Sequence, residues 1–179
     1  MQNTTARIVV HSWLPGRMFR ATGPGGDVDS NQRVLERMER AWSDFQASYA
    51  GLGEADLLER GVTGAWTARD IIAHVTWWEE EALHHLPAIR AGRRPPRYSV
   101  TYGGIDAFNA LMTERRRGLP LAEVLRRQAD VHGRLLDYVR GAPAELLARE
   151  TRFRRRLRLD TWGHYPKHAA AIRAWRERR

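Results

Sequence analysis

Cysteine is absent from this chain of 179 residues, and lysine occurs once, at Lys167. Without cysteine there are no disulfide bonds and no thiolate metal sites, so a metal ion would have to be held by histidine or carboxylate side chains. No hydrophobic run approaches the ~18 residues that a transmembrane helix needs, so no membrane span is expected. The apolar patch at residues 8–10 is too short for the core of a signal peptide, and we expect a cytoplasmic protein.

Charge is strongly unbalanced, with 30 basic and 21 acidic residues and a net charge of +9. Such a balance is compatible with nucleic acid, a membrane surface or an acidic substrate as the partner. Most of the arginines, however, alternate with acidic residues on predicted helix faces, which is typical of solvated helix surfaces. Nucleic acid is therefore not the expected partner. If it did bind, residues 152–158 and the terminal Arg176, Arg178 and Arg179 would form the surface.

The chain divides into two parts of different composition. Residues 1–29 are rich in glycine and proline and show no helical period, which predicts a flexible N-terminal tail. Residues 30–179 carry apolar residues at helical spacing and form one predicted domain, long enough to bury a core.

The predicted domain is all-α. A first helix is expected from Ser30 or Asn31 to about Ala50, and a second begins at Thr67, where Thr67 and Asp70 form a capping box. No strand pattern competes with the helices, and four long helices with modest connections predict a four-helix bundle with short extra helices. The remaining expectations are a loop at residues 92–104 and helices over residues 105–112, 120–139 and 144–149. An extended solvated connector is expected at residues 152–159, followed by a final helix that carries the histidine pair, Ile172 and Trp175.

Three histidines form the candidate site. His164 and His168 are four residues apart, so both imidazoles would leave the same face of a helix. His74 belongs to the inward stripe of the second long helix. Three neutral imidazoles from two helices would leave coordination positions open, as a reactive metal ion requires. Pro166 lies between the pair, so the helix is expected to start near Tyr165 or to bend, which leaves His164 at its edge.

Other candidate groups are weaker. Glu79, Glu80 and Glu81 are interpreted as charges on the helix surface, although one of them or Asp70 could orient an imidazole or act as a base. His84 and His85 are expected at the surface, and His132 lies on an apolar helix face. The sequence contains no phosphate-binding glycine loop, no HExxH motif and no nucleophile elbow.

The order of these motifs resembles a known family. Gly64-Ala65-Trp66-Thr67 leads into Asp70-Ile71-Ile72-Ala73-His74 and Trp77-Trp78-Glu79, then a tyrosine-containing loop precedes Ile105-Asp106-Ala107-Phe108-Asn109, and His164-Tyr165-Pro166-Lys167-His168 comes last. Over residues 31–178 this pattern is similar to the DinB/YfiT-like four-helix bundles, and among them to the ClbS/DfsB family. The resemblance implies an up-down-down-up bundle and a metal triad at His74, His164 and His168 that holds nickel, zinc or iron.

The resemblance also implies a function. Some relatives are thiol-dependent transferases or hydrolases, and the ClbS/DfsB branch is linked to self-protection by hydrolysis of an electrophilic ring in a reactive natural product. We therefore expect a metal-dependent hydrolase or transferase that acts on a small molecule. The alternative is a helical bundle that binds a small molecule without metal or catalysis. Dimers are common among such bundles, but nothing in the sequence requires one. The expected pocket-lining residues are Trp77, Trp78, Tyr98, Tyr102 and Asn109.

Overall fold

A computed structural model describes residues 28–179 of the chain. The predicted tail lies outside the described residues except for positions 28 and 29, which begin the first helix. In chain order the elements are α1 (Val28–Tyr49), α2 (Glu54–Leu57), β1 (Arg60–Thr63), β2 (Trp66–Thr67), α3 (Ala68–Arg90), α4 (Tyr98–Thr101), α5 (Ile105–Arg116), α6 (Leu121–Arg140), a 3₁₀ turn (Ala144–Leu146), α7 (Arg152–Asp160) and α8 (Tyr165–Glu177).

The four helices α1, α3, α6 and α8 form the body of the molecule. Helix α1 packs against α8, α3 packs against α6, and α5 and α7 cover further sides of α3. The prediction of an all-α four-helix bundle is confirmed. Because α3 is surrounded in this way, every residue from 71 to 79 is buried, and not only the single stripe that the amphipathic pattern indicated.

The start of α3 is built by the predicted capping box. The Asp70 backbone N–H donates to Thr67 Oγ1 at 3.0 Å, and the Thr67 N–H donates to Asp70 Oδ2 at 3.0 Å. The second carboxylate oxygen of Asp70 accepts from Arg69 at 2.7 Å, and Arg69 also donates to the Leu119 carbonyl before α6. These bonds satisfy N–H groups that a helix start leaves free, which fixes the position of His74 two turns later.

Three secondary-structure expectations were wrong. The segment at residues 92–104, predicted to be a loop, contains the one-turn helix α4 at Tyr98–Thr101. Residues 60–67 form a two-stranded antiparallel hairpin, where no strand was predicted. The strands have only four and two residues, too few for a visible alternation. Residues 152–159 belong to helix α7, with Phe153 and Leu157 buried, and are not an extended solvated connector. Arginine is a strong helix former, and the spacing of Phe153 and Leu157 places both on one helix face.

The bundle core consists of two large apolar clusters. One joins α1, α3 and α8 around Phe45, Ile72 and Ile172, and the other joins α1, α6 and α7 around Met38, Leu135 and Leu157. A smaller aromatic cluster of Trp77, Trp78 and Phe108 fills the space between α3 and α5. Within residues 28–179, no helix is long and apolar enough to cross a membrane.

Candidate metal centre

The three predicted histidines are held by the ends and turns of two helices. His74 lies in the second turn of α3, His164 is the residue immediately before α8, and His168 is one turn into α8. Helix α8 begins at Tyr165, so Pro166 occupies its first turn. A proline there removes only an N–H that has no partner inside the helix. Pro166 is therefore compatible with both His164 and His168 facing one point.

The structure brings the three imidazoles together. His74 Nε2 lies 3.1 Å from His164 Nε2, and His168 Nε2 lies 2.9 Å from the same atom. The rings of His74 and His168 are 4.7 Å apart. His74 is only 4% exposed, whereas His164 and His168 are half-buried. The site therefore has a closed side formed by α3 and an open side along the start of α8.

All three imidazoles are neutral at physiological pH. Burial, reinforced by the neighbouring His168 and His164, lowers the pKa of His74 to about 2. Burial and the charges of His168 and Lys167 lower the pKa of His164 to about 3, and burial with Lys167 lowers that of His168 to about 4. Neutral imidazoles carry free lone pairs, which is the form that binds a metal ion.

The donor set fits a divalent transition metal. An ion bound to three nitrogens at ~2.0–2.1 Å in tetrahedral geometry separates those nitrogens by about 3.3–3.4 Å. The observed separations of 3.1 and 2.9 Å are shorter by only a few tenths of an ångström. Three imidazoles leave at least one coordination position for a substrate or water. Among residues 28–179 this is the one cluster of metal-ligating side chains with such convergence.

The outer face of the triad is incomplete. Metal-bound histidines normally donate their second ring N–H to a carboxylate or a carbonyl. His74 Nδ1 and His164 Nδ1 are buried and have no hydrogen-bond partner in the part of the chain that the structure describes. A buried N–H without a partner costs the folded protein about 1–3 kcal/mol.

Three tryptophans enclose the triad. The ring of Trp66 lies 5.0 Å from that of His74, and the ring of Trp77 lies 4.7 Å from it at a steep angle. Trp78 contacts both His74 and His164, at 6.3 and 6.1 Å between ring centres. These apolar walls exclude water from one side of the site and strengthen electrostatic interactions within it.

Glu79 is a buried acid on α3, where the sequence analysis expected a surface charge. Glu79 is fully buried, and its Oε1 accepts hydrogen bonds from the Tyr165 hydroxyl and from His132 Nδ1, the latter at 2.8 Å. The His132 ring stacks on Trp42 at 3.7 Å. Glu80 forms an ion pair with Arg116. Glu81 is hydrogen-bonded to His85 and Tyr98. The interpretation as a helix-surface charge was wrong for Glu79, whereas Glu80 and Glu81 are partly exposed and engaged in ion pairs or hydrogen bonds.

The expected pocket residues do not form one lining. Trp77 and Trp78 border the triad, whereas Tyr98 and Tyr102 line a separate cleft of about 740 Å³ together with His84, His85, Arg93 and Arg94. Asn109 is not among the residues that line the cleft. Its Oδ1 is buried on α5 without a hydrogen-bond partner among the described residues. Trp78 is the contact between the two regions, since its ring lies 5.5 Å from Tyr98.

Glu79 and its partners are the residues that sequence reasoning missed. A signal existed, because Glu79 is four residues after Val75 and three before Ala82, both of which belong to the buried face of α3. His132 was recognised only as a histidine on an apolar helix face. A buried acid and a buried histidine on different helices are expected to pair, because each supplies the hydrogen-bond partner that the other needs away from water.

Most of the chain matches one known protein family. Residues 37–178 match the model of the DinB superfamily, which is most of the chain. The chain belongs to the DinB superfamily. No curated protein matches it.

Solved structures with the same fold support this assignment. The sibling lethal factor precursor DfsB is 16% identical, covering 83% of this chain and 96% of its own, with a TM-score of 0.70. A crystal structure of the colibactin self-resistance protein ClbS in complex with a double-stranded DNA is 12% identical, with coverage of 80% and 93% and a TM-score of 0.68. An uncharacterised protein from Escherichia coli UTI89 is 10% identical, with coverage of 83% and 94% and a TM-score of 0.71. The resemblance to the ClbS/DfsB branch is thus confirmed for the fold.

Proposed function

We propose that this DinB-superfamily protein is a metal-dependent hydrolase or transferase that acts on a small electrophilic molecule. The observation that carries the proposal is the convergence of His74, His164 and His168, with Nε2 atoms 3.1 and 2.9 Å apart. Nickel, zinc and iron all accept imidazole ligands in such a site. A divalent ion held there supplies Lewis-acid chemistry, by polarising an electrophile or by making water more acidic.

The surrounding side chains support this role. Trp66, Trp77 and Trp78 offer flat apolar surfaces against which a small organic substrate packs while water is excluded. The Glu79–Tyr165 hydrogen bond ties the first residue of α8 to the middle of α3, so it positions His164 and His168 relative to His74. Glu79 acts here through Tyr165 as a positioning residue and does not touch the triad.

The biological role we propose is protection against a reactive small molecule. ClbS is described as a colibactin self-resistance protein, and this chain shares its fold over 80% of its own length and 93% of the ClbS chain. A triad with an open coordination position and aromatic walls is suited to an electrophile of that general kind.

The second candidate is a bundle that binds a small molecule without metal. It is favoured by the buried Nδ1 atoms of His74 and His164, which lack the partners that metal sites usually provide. In this case Nε2–H groups and lone pairs of the three imidazoles would hydrogen-bond to one another or to the ligand.

Metal analysis of protein purified without a histidine tag distinguishes the two candidates. The proposal expects about one nickel, zinc or iron ion per chain, lost in His168→Ala and retained in His84→Ala, since His84 is an exposed histidine outside the triad. Hydrolysis or transfer on an epoxide or cyclopropane probe should disappear with the metal. A folded, metal-free protein that still binds the probe would support the second candidate and overturn the first.

Nucleic acid is a third candidate, because the ClbS neighbour was crystallised with double-stranded DNA. This weighs against the expectation that nucleic acid is not a partner. The surface suggested by the sequence is poorly suited to it, since Arg154, Arg156 and Arg158 contact Leu147, Asp160 and Glu150 of the same chain. DNA binding that weakens steeply with salt would indicate contacts to phosphates. If that binding is unchanged in Arg155→Gln, the interface lies outside the basic segment at residues 152–158.

A further inference from the structure

The cleft of about 740 Å³ beside the triad is built from three segments: the second half of α3, the loop that follows it, and α4. Its volume falls within the range of ~300–1,000 Å³ that is usual for small-molecule sites. The mechanism proposed for the triad uses none of the groups that line this cleft.

The loop is shaped by hydrogen bonds and by proline. Gly92 has a φ of +78°, a conformation that favours glycine, and its N–H donates to the Ile89 carbonyl at 3.0 Å. The Arg93 N–H donates to the Ala88 carbonyl at 2.9 Å, which turns the chain back along α3. Pro95 and Pro96 then restrict the next two φ angles. The arginines of this loop are therefore presented by a backbone with few conformations to lose on binding.

Arg93 and Arg94 line the cleft as exposed cations. Neither side chain has an acidic partner among residues 28–179, whereas many arginines of the described chain do, such as Arg126 with Glu123 and Arg173 with Asp44. Arg90 and Arg97 flank them in sequence and are also exposed. This loop therefore concentrates positive charge that no acidic side chain among residues 28–179 neutralises.

The single acid in the lining is already engaged. Glu81 Oε2 lies 3.1 Å from His85 Nε2 and accepts a hydrogen bond from the Tyr98 hydroxyl. Arg156 donates to the Tyr98 hydroxyl at 3.0 Å and is itself paired with Asp160, so it does not compete for a ligand in the cleft. The Arg93 and Arg94 guanidinium groups are thus left for a ligand that brings its own negative charge.

Two aromatic rings form the other wall. Tyr98 and Tyr102 lie 5.8 Å apart at an interplanar angle of 32°, and Tyr102 is 39% exposed. Tyr98 is immobilised by Glu81 and Arg156, and the Tyr102 N–H donates to the Tyr98 carbonyl at 2.8 Å. An exposed, fixed aromatic ring beside unpaired arginines is suited to a planar ring that carries a phosphate.

We propose that this cleft binds a nucleotide unit, with its phosphate on Arg93 and Arg94 and its base against the Tyr98 and Tyr102 rings. Two guanidinium groups suit a phosphate dianion, because each can donate two parallel hydrogen bonds to its oxygens. A free nucleotide and a nucleotide within a single strand present the same chemistry. The cleft is separated from the triad by Trp78, so the inference does not depend on metal at His74, His164 and His168.

Titration calorimetry on the full-length protein tests this directly. The ligands are AMP, adenosine, inorganic phosphate and a single-stranded DNA about ten nucleotides long. We expect AMP to bind more tightly than adenosine or phosphate alone, because only AMP offers both parts. Binding of the oligonucleotide at least about tenfold tighter than AMP identifies a strand as the source. Equal or weaker binding identifies a free nucleotide, and both results support the proposal.

Two charge-matched double variants decide the location. R93Q/R94Q should weaken binding by roughly tenfold or more, through loss of charge-assisted hydrogen bonds. R40Q/R60Q removes the same net charge from exposed arginines outside the cleft and should leave binding unchanged. Tyr102→Ala should also weaken AMP binding while inorganic phosphate binds as before. All these positions are exposed, so circular dichroism should show unchanged folding.

His168→Ala separates this proposal from the proposed function. AMP binding should persist in this variant, even where metal is lost. The proposal is overturned if neither AMP nor the strand binds, if adenosine binds as tightly as AMP, or if the two double variants weaken binding equally. The last result would mean that only the overall positive charge attracts phosphate.

Discussion

The Tyr165 hydroxyl donates a hydrogen bond to Oε1 of Glu79, across 86 positions of sequence. Tyr165 follows directly after His164, and Glu79 follows His74 by little more than one turn of α3. One bond inside the core therefore ties together the two chain segments that carry the candidate metal ligands. Both partners are fully buried, so a water molecule cannot take the place of either one if the hydrogen bond is broken.

Tyr165→Phe should destabilise the protein by about 1–3 kcal/mol, because it removes one of the two hydrogen-bond partners of the fully buried Glu79 Oε1. Tyr49→Phe is the matched control, since its hydroxyl donates to the neutral Gln128 Oε1 at 3.0 Å. That change should cost about 0.5–1.5 kcal/mol. Urea unfolding at neutral pH measures both. If both variants lowered the free energy of unfolding equally, the Tyr165–Glu79 bond would contribute no more to stability than the Tyr49–Gln128 bond.

Gly163→Ala should destabilise the connection between α7 and α8. A Cβ atom at this position would lie 2.8 Å from the Arg158 carbonyl oxygen, which is backbone and cannot swing away. We expect a loss of about 1–3 kcal/mol and weaker metal binding, because His164 is the next residue. Gly133→Ala is the control: it is exposed within α6 with open space around it, and should stabilise by about 0.5–1 kcal/mol. If Gly163→Ala left the free energy of unfolding unchanged, the close approach of residue 163 to the Arg158 carbonyl oxygen would be contradicted.

The stability of the metal-free protein should fall as pH falls below about 6.5. In the unfolded chain the histidines gain protons near their ordinary pKa of ~6.5. Folded His168 stays neutral until its pKa of about 4, and His164 and His74 until about 3 and about 2. The unfolded state therefore binds more protons between these values, and each such histidine costs about 1.4 kcal/mol per pH unit.

Urea unfolding between pH 7 and about pH 4.5, with a chelator present, measures this slope. His168→Gln should show a shallower slope than the parent by nearly one proton, since glutamine does not titrate. Burial raises the pKa of Asp160 to about 7, against the pull of Arg156, and this acts in the opposite direction. It is common to both proteins and cancels in their difference. Identical slopes would mean that His168 is not buried in its neutral form.

Pro166→Ala should leave the candidate site intact. Pro166 is in the first turn of α8, where it removes no intrahelical hydrogen bond. Alanine fits the same backbone but makes the unfolded chain more flexible, so stability should drop by about 0.4–1 kcal/mol. Nickel or zinc affinity should be unchanged. A large loss of affinity would mean that the proline ring itself sets the positions of His164 and His168.

Much of the bundle was predictable because its signals are local. The capping box at Thr67 and Asp70 and the inward position of His74 depend on residues within a few turns of one another. Helix α7 was missed since its run of arginines conceals the two apolar residues that it buries. Glu79 was misplaced because the sequence around it resembles a charged surface, whereas α5, α6 and α7 cover that part of α3.

The sequence by itself determined the helical domain, the exclusion of thiolate chemistry and the three candidate histidines. Periodicity, caps and residue types act over short distances and are visible without coordinates. Only the tertiary structure decided that the imidazoles meet, that Glu79 is buried against His132 and Tyr165, and that Tyr98 and Tyr102 line a different cleft from Trp77 and Trp78. These relationships join residues far apart in the chain, and they depend on how whole helices pack against one another.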